Sequence, residues 1–295
     1  MTWNLHGTHV QDGDLVELVG LRHKRFIVSM QAGSEFQTHR GVLKHDDLIG
    51  KPWGSQVFSH NGSPFFLLQP PLGDLISHLP RNSQILYPKD IGYILVNMGI
   101  GEGQKVLEAG TGSGSMTCAL TFSVGSSGHV FSYDVREDMQ KTARKNIERL
   151  GLSDRVTFRL RDIVEGFDET NMDAFFLDVV NPYDYIGQVR AALKPGGFFG
   201  CIVPTVNQVT RLLDELRKND FAFLEVVEIL LRFYKPEPQR LRPVDRMVAH
   251  TGFLIFARPM IFDRKSGANE LLAEIGAPVE DITASAEEES TLTEE

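Results

Sequence analysis

Gln104-Lys105-Val106-Leu107-Glu108-Ala109-Gly110-Thr111-Gly112-Ser113-Gly114-Ser115-Met116-Thr117-Cys118-Ala119 is the stretch that decides the fold. Val106 and Leu107 read as the end of an apolar strand that delivers a carboxylate, Glu108. Three glycines at alternate positions follow, Gly110, Gly112 and Gly114, and then a helix-compatible run. Without a Cβ, the backbone there can turn sharply and approach a ligand closely. A strand-to-helix turn of this kind is where doubly wound α/β sheets bind nucleotides.

Which nucleotide follows from the details. The dinucleotide fingerprint G-x-G-x-x-G needs a third glycine where this chain has Ser115. No G-x-x-x-x-G-K-[ST] occurs, which excludes a P-loop. An acid just before the first glycine suits a ligand with a cationic amino-acid end better than a pyrophosphate. Glu-x-Gly-x-Gly-x-Gly resembles motif I of the S-adenosylmethionine (AdoMet) methyltransferases; the alternative is a tight turn with no ligand. Val130-Phe131-Ser132-Tyr133-Asp134 reads as the next strand, ending in an acid twenty residues beyond Gly114. A carboxylate at about that distance binds ribose hydroxyls in this fold class, and its other reading is a cap for the helix that follows from Arg136.

Outward from this core, residues 1–70 alternate short apolar runs with turn residues: Leu15–Leu18, Arg25–Met30, and Gly50-Lys51-Pro52-Trp53-Gly54. That spacing predicts a small all-β unit, a barrel or curved sheet, with a boundary at Gln69-Pro70-Pro71. Residues 71–262 alternate strands and helices. Strands are expected at Val106–Glu108, Val130–Asp134, Val156–Leu160, Ala174–Asp178, Phe198–Val203, Ala222–Leu231 and His250–Ala257. Helices are expected at Ile91–Met98, from Arg136, at Tyr185–Leu193 and at Asn207–Lys218, with Lys194-Pro195-Gly196-Gly197 as a sharp helix stop. Alternation of this kind implies a mostly parallel sheet covered on both faces.

The net charge is −9, but residues 263–295 hold 10 acids and 2 bases, so the other 262 residues carry 29 acids and 28 bases. A near-neutral body can still present a local basic patch, and the overall sign does not exclude RNA. The acidic tail has too little apolar content to fold alone and is expected to be disordered. The two cysteines, Cys118 and Cys201, lie in apolar surroundings without metal-ligand spacing, which suits free thiols in a reducing, cytoplasmic compartment. No apolar run reaches the roughly 18 residues of a membrane span, and the N-terminus does not read as a signal peptide.

Three more motifs narrow the chemistry: Gln84-Ile85-Leu86-Tyr87-Pro88-Lys89-Asp90, Asp178-Val179-Val180-Asn181-Pro182-Tyr183, and His250-Thr251-Gly252-Phe253. Together with Glu108–Gly114 they resemble the tRNA (adenine-N1)-methyltransferases that modify adenine 58 in the T loop. The resemblance spans about residues 70–260. It implies a Rossmann-like sheet with an antiparallel last strand, AdoMet as cofactor, tRNA as partner, no metal, and a homotetramer. It assigns Glu108, Gly110, Thr111, Gly112, Ser113, Gly114 and Ser115 to the methionine part of AdoMet, with Gln84, Met116, Met139 and Asp178 also on the cofactor. Asp134 takes the ribose position, where many relatives have Glu. Asp162 takes the adenine amino group, with a turn or cap carboxylate as its alternative. Asp178 takes the place of the active-site acid. Asn181-Pro182-Tyr183 departs from the family, which often has Pro-Trp at the last two positions.

Chemistry explains these residue types. Adenine N1 is a weak neutral nucleophile, so alignment with the methyl group is the main requirement. A carboxylate at Asp178 would accept from the N6 amino group and stabilise charge developing on the ring; otherwise it is a solvated strand end. The base must leave its stack, and Tyr87 and Tyr183 are candidate stacking rings, with ordinary packing as the alternative for Tyr87. Arg81, Lys89, Arg242, Arg246 and His250 are candidate phosphate contacts as a cluster; singly each reads as a solvated charge or a core histidine. The rival classes are an AdoMet methyltransferase for protein or small molecules, a non-catalytic tRNA-binding subunit, and, more remotely, a nicotinamide dehydrogenase. An intact glycine loop favours a catalytic chain.

Overall fold

The computed structural model describes residues 7–81 and 84–262; the acidic tail, and the expectation attached to it, lie outside the described residues. The chain divides into two compact units between Asp162 and Ile163.

In the first unit, β1 (Leu15–Gly20), β2 (Arg25–Ser29), β3 (Glu35–Thr38), β4 (Gly41–Lys44), β5 (Gln56–Phe58) and β6 (Pro64–Leu68) form the expected all-β region. It is a four-stranded antiparallel sheet, ordered β2-β1-β6-β5, plus a separate β3–β4 hairpin. Val16, Leu18, Val28, Leu43, Phe65 and Leu67 close one core within it, as period-two apolar residues do when one face is buried. Buried Glu17 is paired with Arg25 Nη1 at 2.8 Å. Next come α1 (Leu72–Ser77) and α2 (Pro88–Asn97). Helix α2 begins three residues before the expected Ile91, because Pro88 supplies a preset φ at its first position. Strand β7 (Lys105–Ala109), helix α3 (Ser115–Ser123), β8 (His129–Asp134), α4 (Glu137–Arg149) and β9 (Val156–Leu160) complete the unit, with β7–β8 and β8–β9 parallel.

The second unit holds β10 (Met172–Leu177), α5 (Ile186–Ala192), β11 (Leu193–Val203), α6 (Val206–Lys218), β12 (Phe221–Val227), the short pair β13 (Tyr234–Lys235) and β14 (Arg242–Pro243), and β15 (Phe253–Pro259). Its main strands are ordered β12-β15-β11-β10. Strand β15 is antiparallel to both β11 and β12, whereas β10 and β11 are parallel.

Further local expectations differ from the structure. Helix α5 stops at Ala192, one residue before the expected Leu193, and Lys194-Pro195-Gly196-Gly197 lies inside β11: the register passes from Met172↔Leu193 to Ala174↔Phe198 and leaves these four residues out of the ladder. Gly196 takes φ +69 there, and Arg258 Nε donates to the carbonyls of Gly196 (3.0 Å) and Gly197 (2.8 Å). Strand β12 ends at Val227, not Leu231, and β15 begins at Phe253, not His250. Val203 and Val227 pair with Phe253 and Leu254 at the end of this sheet, Pro204 has no N–H to extend the ladder, and Gly252 turns the chain at φ +154.

Candidate active site

The glycine stretch takes the shape its composition calls for. Gly110, Gly112 and Gly114 have φ of +96, +52 and +86, in the left-handed half of the map that other residues avoid. Gly114 is the residue before α3, and the space over it is closed as well. A Cβ there would stand 3.0 Å from Ala143 Cβ and 3.1 Å from Ala143 Cα, so α4 packs directly on the loop.

Beneath the loop, Glu108 is buried at the end of β7. Its Oε2 accepts from Thr117 Oγ1 at 2.7 Å and from Ser132 Oγ at 2.5 Å. Ser132 has one hydrogen and gives it to the carboxylate, so the 2.7 Å contact with Thr111 Oγ1 has Thr111 as donor. A chain of hydroxyls thus runs from the loop to the acid. Glu108 and simple burial together push the Cys118 thiol well above the usual thiol range, burial being the larger cause.

Asp134 ends β8 and is buried. Its Oδ2 accepts from the Gly112 N–H and its Oδ1 from the Arg136 N–H, each at 2.9 Å. It is therefore not the cap residue of α4, which is Arg136; it ties the loop to the turn after β8. Arg136 Nε also reaches Oδ1, at 3.5 Å from a half-exposed side chain; a carboxylate has about four acceptor sites, so one is open to a ribose hydroxyl and a second opens when the Arg136 side chain swings away. Asn146, buried in α4, donates Nδ2 to Ser113 O (2.8 Å) and to Pro80 O (3.0 Å), holding the loop from its other side. Met116 and Met139 are buried on α3 and α4. Ser115 is buried at the start of α3. Exposed Gln84 donates Nε2 to Tyr87 Oη at 3.2 Å. Asp162 is exposed, two residues past β9. Half-buried glycine backbone beside a buried carboxylate is a fit for a nucleoside carrying an amino-acid tail.

In the second unit, Asp178 follows the last residue of β10 and is exposed. Its charge adds to burial in raising the Cys201 thiol well above its ordinary value, with burial the larger cause. Tyr183 is buried, and the Arg211 guanidinium lies 3.7 Å from its ring centroid. That cation occupies a face expected to stack on a base. A groove of ≈ 470 Å³ beside it is lined by Tyr183, Asp184, Arg211, Asp214, Glu215 and Lys218. Three carboxylates make it a poor seat for a phosphate.

The candidate phosphate contacts divide similarly. Lys89 Nζ is 2.7 Å from Asp90 Oδ1, with side chains only 8% and 1% exposed, so this lysine is committed to an internal ion pair. His250 has acceptors at both ring nitrogens, Glu228 Oε1 at 2.6 Å and Pro204 O at 2.9 Å, and ties the start of β15 to the ends of β11 and β12. Arg81, Arg242 and Arg246 are exposed. Sequence reasoning passed over Thr117, Ser132, Asn146 and Arg211. For the first two the available signal was a hydroxyl residue amid an apolar helix and strand. Among the described residues no group of His, Cys, Asp or Glu could hold a metal ion, and no helix is long and apolar enough to cross a membrane.

Comparison with known proteins agrees with this arrangement. A tRNA (adenine(57)-N(1)/adenine(58)-N(1))-methyltransferase of Methanocaldococcus jannaschii is 31% identical over 276 residues, covering 84% of this chain and 96% of that protein. The solved tRNA (m1A58) methyltransferase of Aquifex aeolicus superposes with a TM-score of 0.74 at 35% identity, over 86% of this chain and 100% of that one. A structure from Thermotoga maritima, titled a SAM-dependent O-methyltransferase, gives 0.81 at 42% identity over 86% and 96%. The fold is thus the Rossmann-like methyltransferase sheet with a small N-terminal β unit. Residues 9–57 match the TrmI-like N-terminal family. With residues 65–242 matching its model, the chain belongs to the family described as the tRNA methyltransferase complex GCD14 subunit.

Proposed function

We propose that this chain is an AdoMet-dependent methyltransferase acting on N1 of adenine 58 in the tRNA T loop. The observation that carries the donor is the hydrogen-bonded unit of Asp134 and the Gly112 N–H, a buried acid joined to a loop whose three glycines take positive φ. The printed names of the M. jannaschii and A. aeolicus relatives support the acceptor. The three parts of the chain are read as an N-terminal β domain (1–70), a catalytic domain (71–262) and an acidic tail (263–295).

Bound at this loop, AdoMet supplies a methyl group already activated by its sulfonium. Asp134 holds the ribose hydroxyls, with Gln84, Met116, Met139 and the 110–115 backbone around the rest and Asp162 on the adenine amino group. Glu108, fixed by two hydroxyl donors, keeps the loop's base polar and rigid. Asp178 accepts from N6 of the target base, holds N1 in line, and stabilises the positive charge that grows on the ring as N1 forms its new bond. Tyr87 is the remaining candidate for stacking. Phosphate contacts fall to Arg81, Arg242 and Arg246. The reading includes a cytoplasmic homotetramer, which mass measurement in solution tests.

The deciding experiment incubates the purified chain with labelled AdoMet and unmodified tRNA and maps the product. N1-methyladenosine in the T loop supports the proposal. AdoMet binding with no transfer to tRNA overturns the acceptor and favours the reading suggested by the T. maritima title, a different methyl acceptor.

A further inference from the structure

The hydrogens around Asn181 can be assigned from chemistry. Arginine carries only donors, so the 3.0 Å contact of Arg211 Nη1 with Tyr183 Oη makes that oxygen an acceptor. Its one hydrogen goes to Asn181 Oδ1, 2.8 Å away. This tells the two ends of the amide apart: Oδ1 faces inward and Nδ2 outward with two N–H donors. Tyr183 cannot easily turn, being buried and covered by the guanidinium at 3.7 Å. Asn181 itself is exposed, and among the described residues nothing accepts from its Nδ2.

This oriented donor lies three residues after Asp178 in the same loop. Asp178 offers an acceptor and Asn181 a donor. Adenine presents the complement on one edge, the N6 amino group as donor and N7 as acceptor. Reading that edge leaves N1 untouched for the methyl group. Guanine offers two acceptors there, N7 and O6, and O6 would face a carboxylate. We infer that Asn181 determines specificity by donating from Nδ2 to N7 of the target adenine, and that Tyr183 and Arg211 are positioning residues that keep the donor end of its amide outward. The inference rests on the tRNA adenine reading above. It gives the Asn-Pro-Tyr departure a role: the tyrosine supplies a hydroxyl to orient a neighbouring amide, and not a face for a base.

The test is a cycle of Asn181→Asp against 7-deazaadenine, which has C–H in place of N7. Full-length chain and tRNA bearing either base at the methylated position are compared by kcat and KM. AdoMet affinity by calorimetry controls for folding. The unsubstituted chain is expected to favour ordinary adenine by about tenfold in kcat/KM, the scale of one hydrogen bond. Asn181→Asp sets an acceptor against N7, so it should lose activity on ordinary tRNA and recover on the 7-deaza substrate. Tyr183→Phe should raise KM several-fold with AdoMet affinity unchanged. Arg211→Lys, which keeps a donor, should be milder than Arg211→Met. Independent effects of the base and the Asn181 change overturn the N7 contact and move the donor to a ribose or phosphate oxygen. Unchanged KM in Asn181→Asp and Tyr183→Phe overturns the whole inference. No methylation of tRNA by the unsubstituted chain defeats the underlying reading and this inference with it.

Discussion

Asn146→Ala probes the glycine loop from a residue outside the motif. The amide nitrogen donates to Ser113 O at 2.8 Å and to Pro80 O at 3.0 Å from a site only 2% exposed. Truncation strands the buried Ser113 carbonyl and leaves the carbonyl of exposed Pro80 to water. Each net bond contributes about 1 kcal/mol, and a buried acceptor left unsatisfied adds to that, so the loss is about 2–3 kcal/mol. For a protein of this size it corresponds to a fall in Tm of about 5–10 °C. Ser113 belongs to the loop, so AdoMet affinity should weaken as well, by about tenfold if half of that energy orders the loop. Asn146→Asp should be worse than Ala, since it turns a carboxylate oxygen toward two carbonyl oxygens. Scanning calorimetry and isothermal titration with AdoMet read both quantities. A wild-type Tm and Kd for the Ala variant, or a benign Asp variant, would refute the reasoning. A lower Tm with unchanged AdoMet binding would separate the clamp from the loop's function.

Other outcomes follow from the same geometry. Gly114→Ala should cost about 1–2 kcal/mol from its left-handed φ alone, with crowding against Ala143 on top, measured by urea unfolding; a neutral change would contradict the close approach of α4. Asp178→Ala should lower methylation about 100-fold or more, the scale of one electrostatic contact in a transition state, while AdoMet still binds; normal turnover removes Asp178 from the chemistry. Cys118 and Cys201 are fully buried and their thiols are raised by burial, so thiol reagents should label them only after unfolding. The unfolded chain ionises first, so their contribution is fully present below the ordinary thiol pKa of about 8.5 and declines as pH rises above it; a native stability curve flat to higher pH would count against this. Deleting residues 263–295 should leave Tm and AdoMet binding unchanged, and a large drop in Tm would show that the tail packs on the body.

The parts of the fold legible in sequence were those governed by local rules. Strand β9 has the expected ends, Val156 and Leu160, and the glycine loop adopts the positive φ values its spacing implied. Elements set by partners distant in sequence were not legible. The length of β12 depends on where β15 begins, and that depends on Gly252 and on the bonds of His250 to Glu228 and Pro204. The site behaves likewise. Glu108 and Asp134 stand at strand ends, where pattern reading finds them. Asn146 is 33 residues from Ser113, and Arg211 is 28 from Tyr183; no periodicity connects such pairs. Neither reading of Lys89, phosphate contact or solvated charge, matches its buried ion pair, because an adjacent buried Asp90 takes its charge.

The contact between Gly114 and Ala143 has a consequence for how this sequence can drift over evolutionary time. Most of α4 is free to vary on its solvent side, but position 143 faces backbone that cannot retreat without unmaking the turn. A larger residue there would need a compensating shift of the loop, and the loop is itself held at Gly112 by Asp134 and at Ser113 by Asn146. Positions 114, 143 and 146 therefore form a small group in which single exchanges are penalised and only joint ones are neutral. Such a group slows divergence around the loop while the rest of the helix changes.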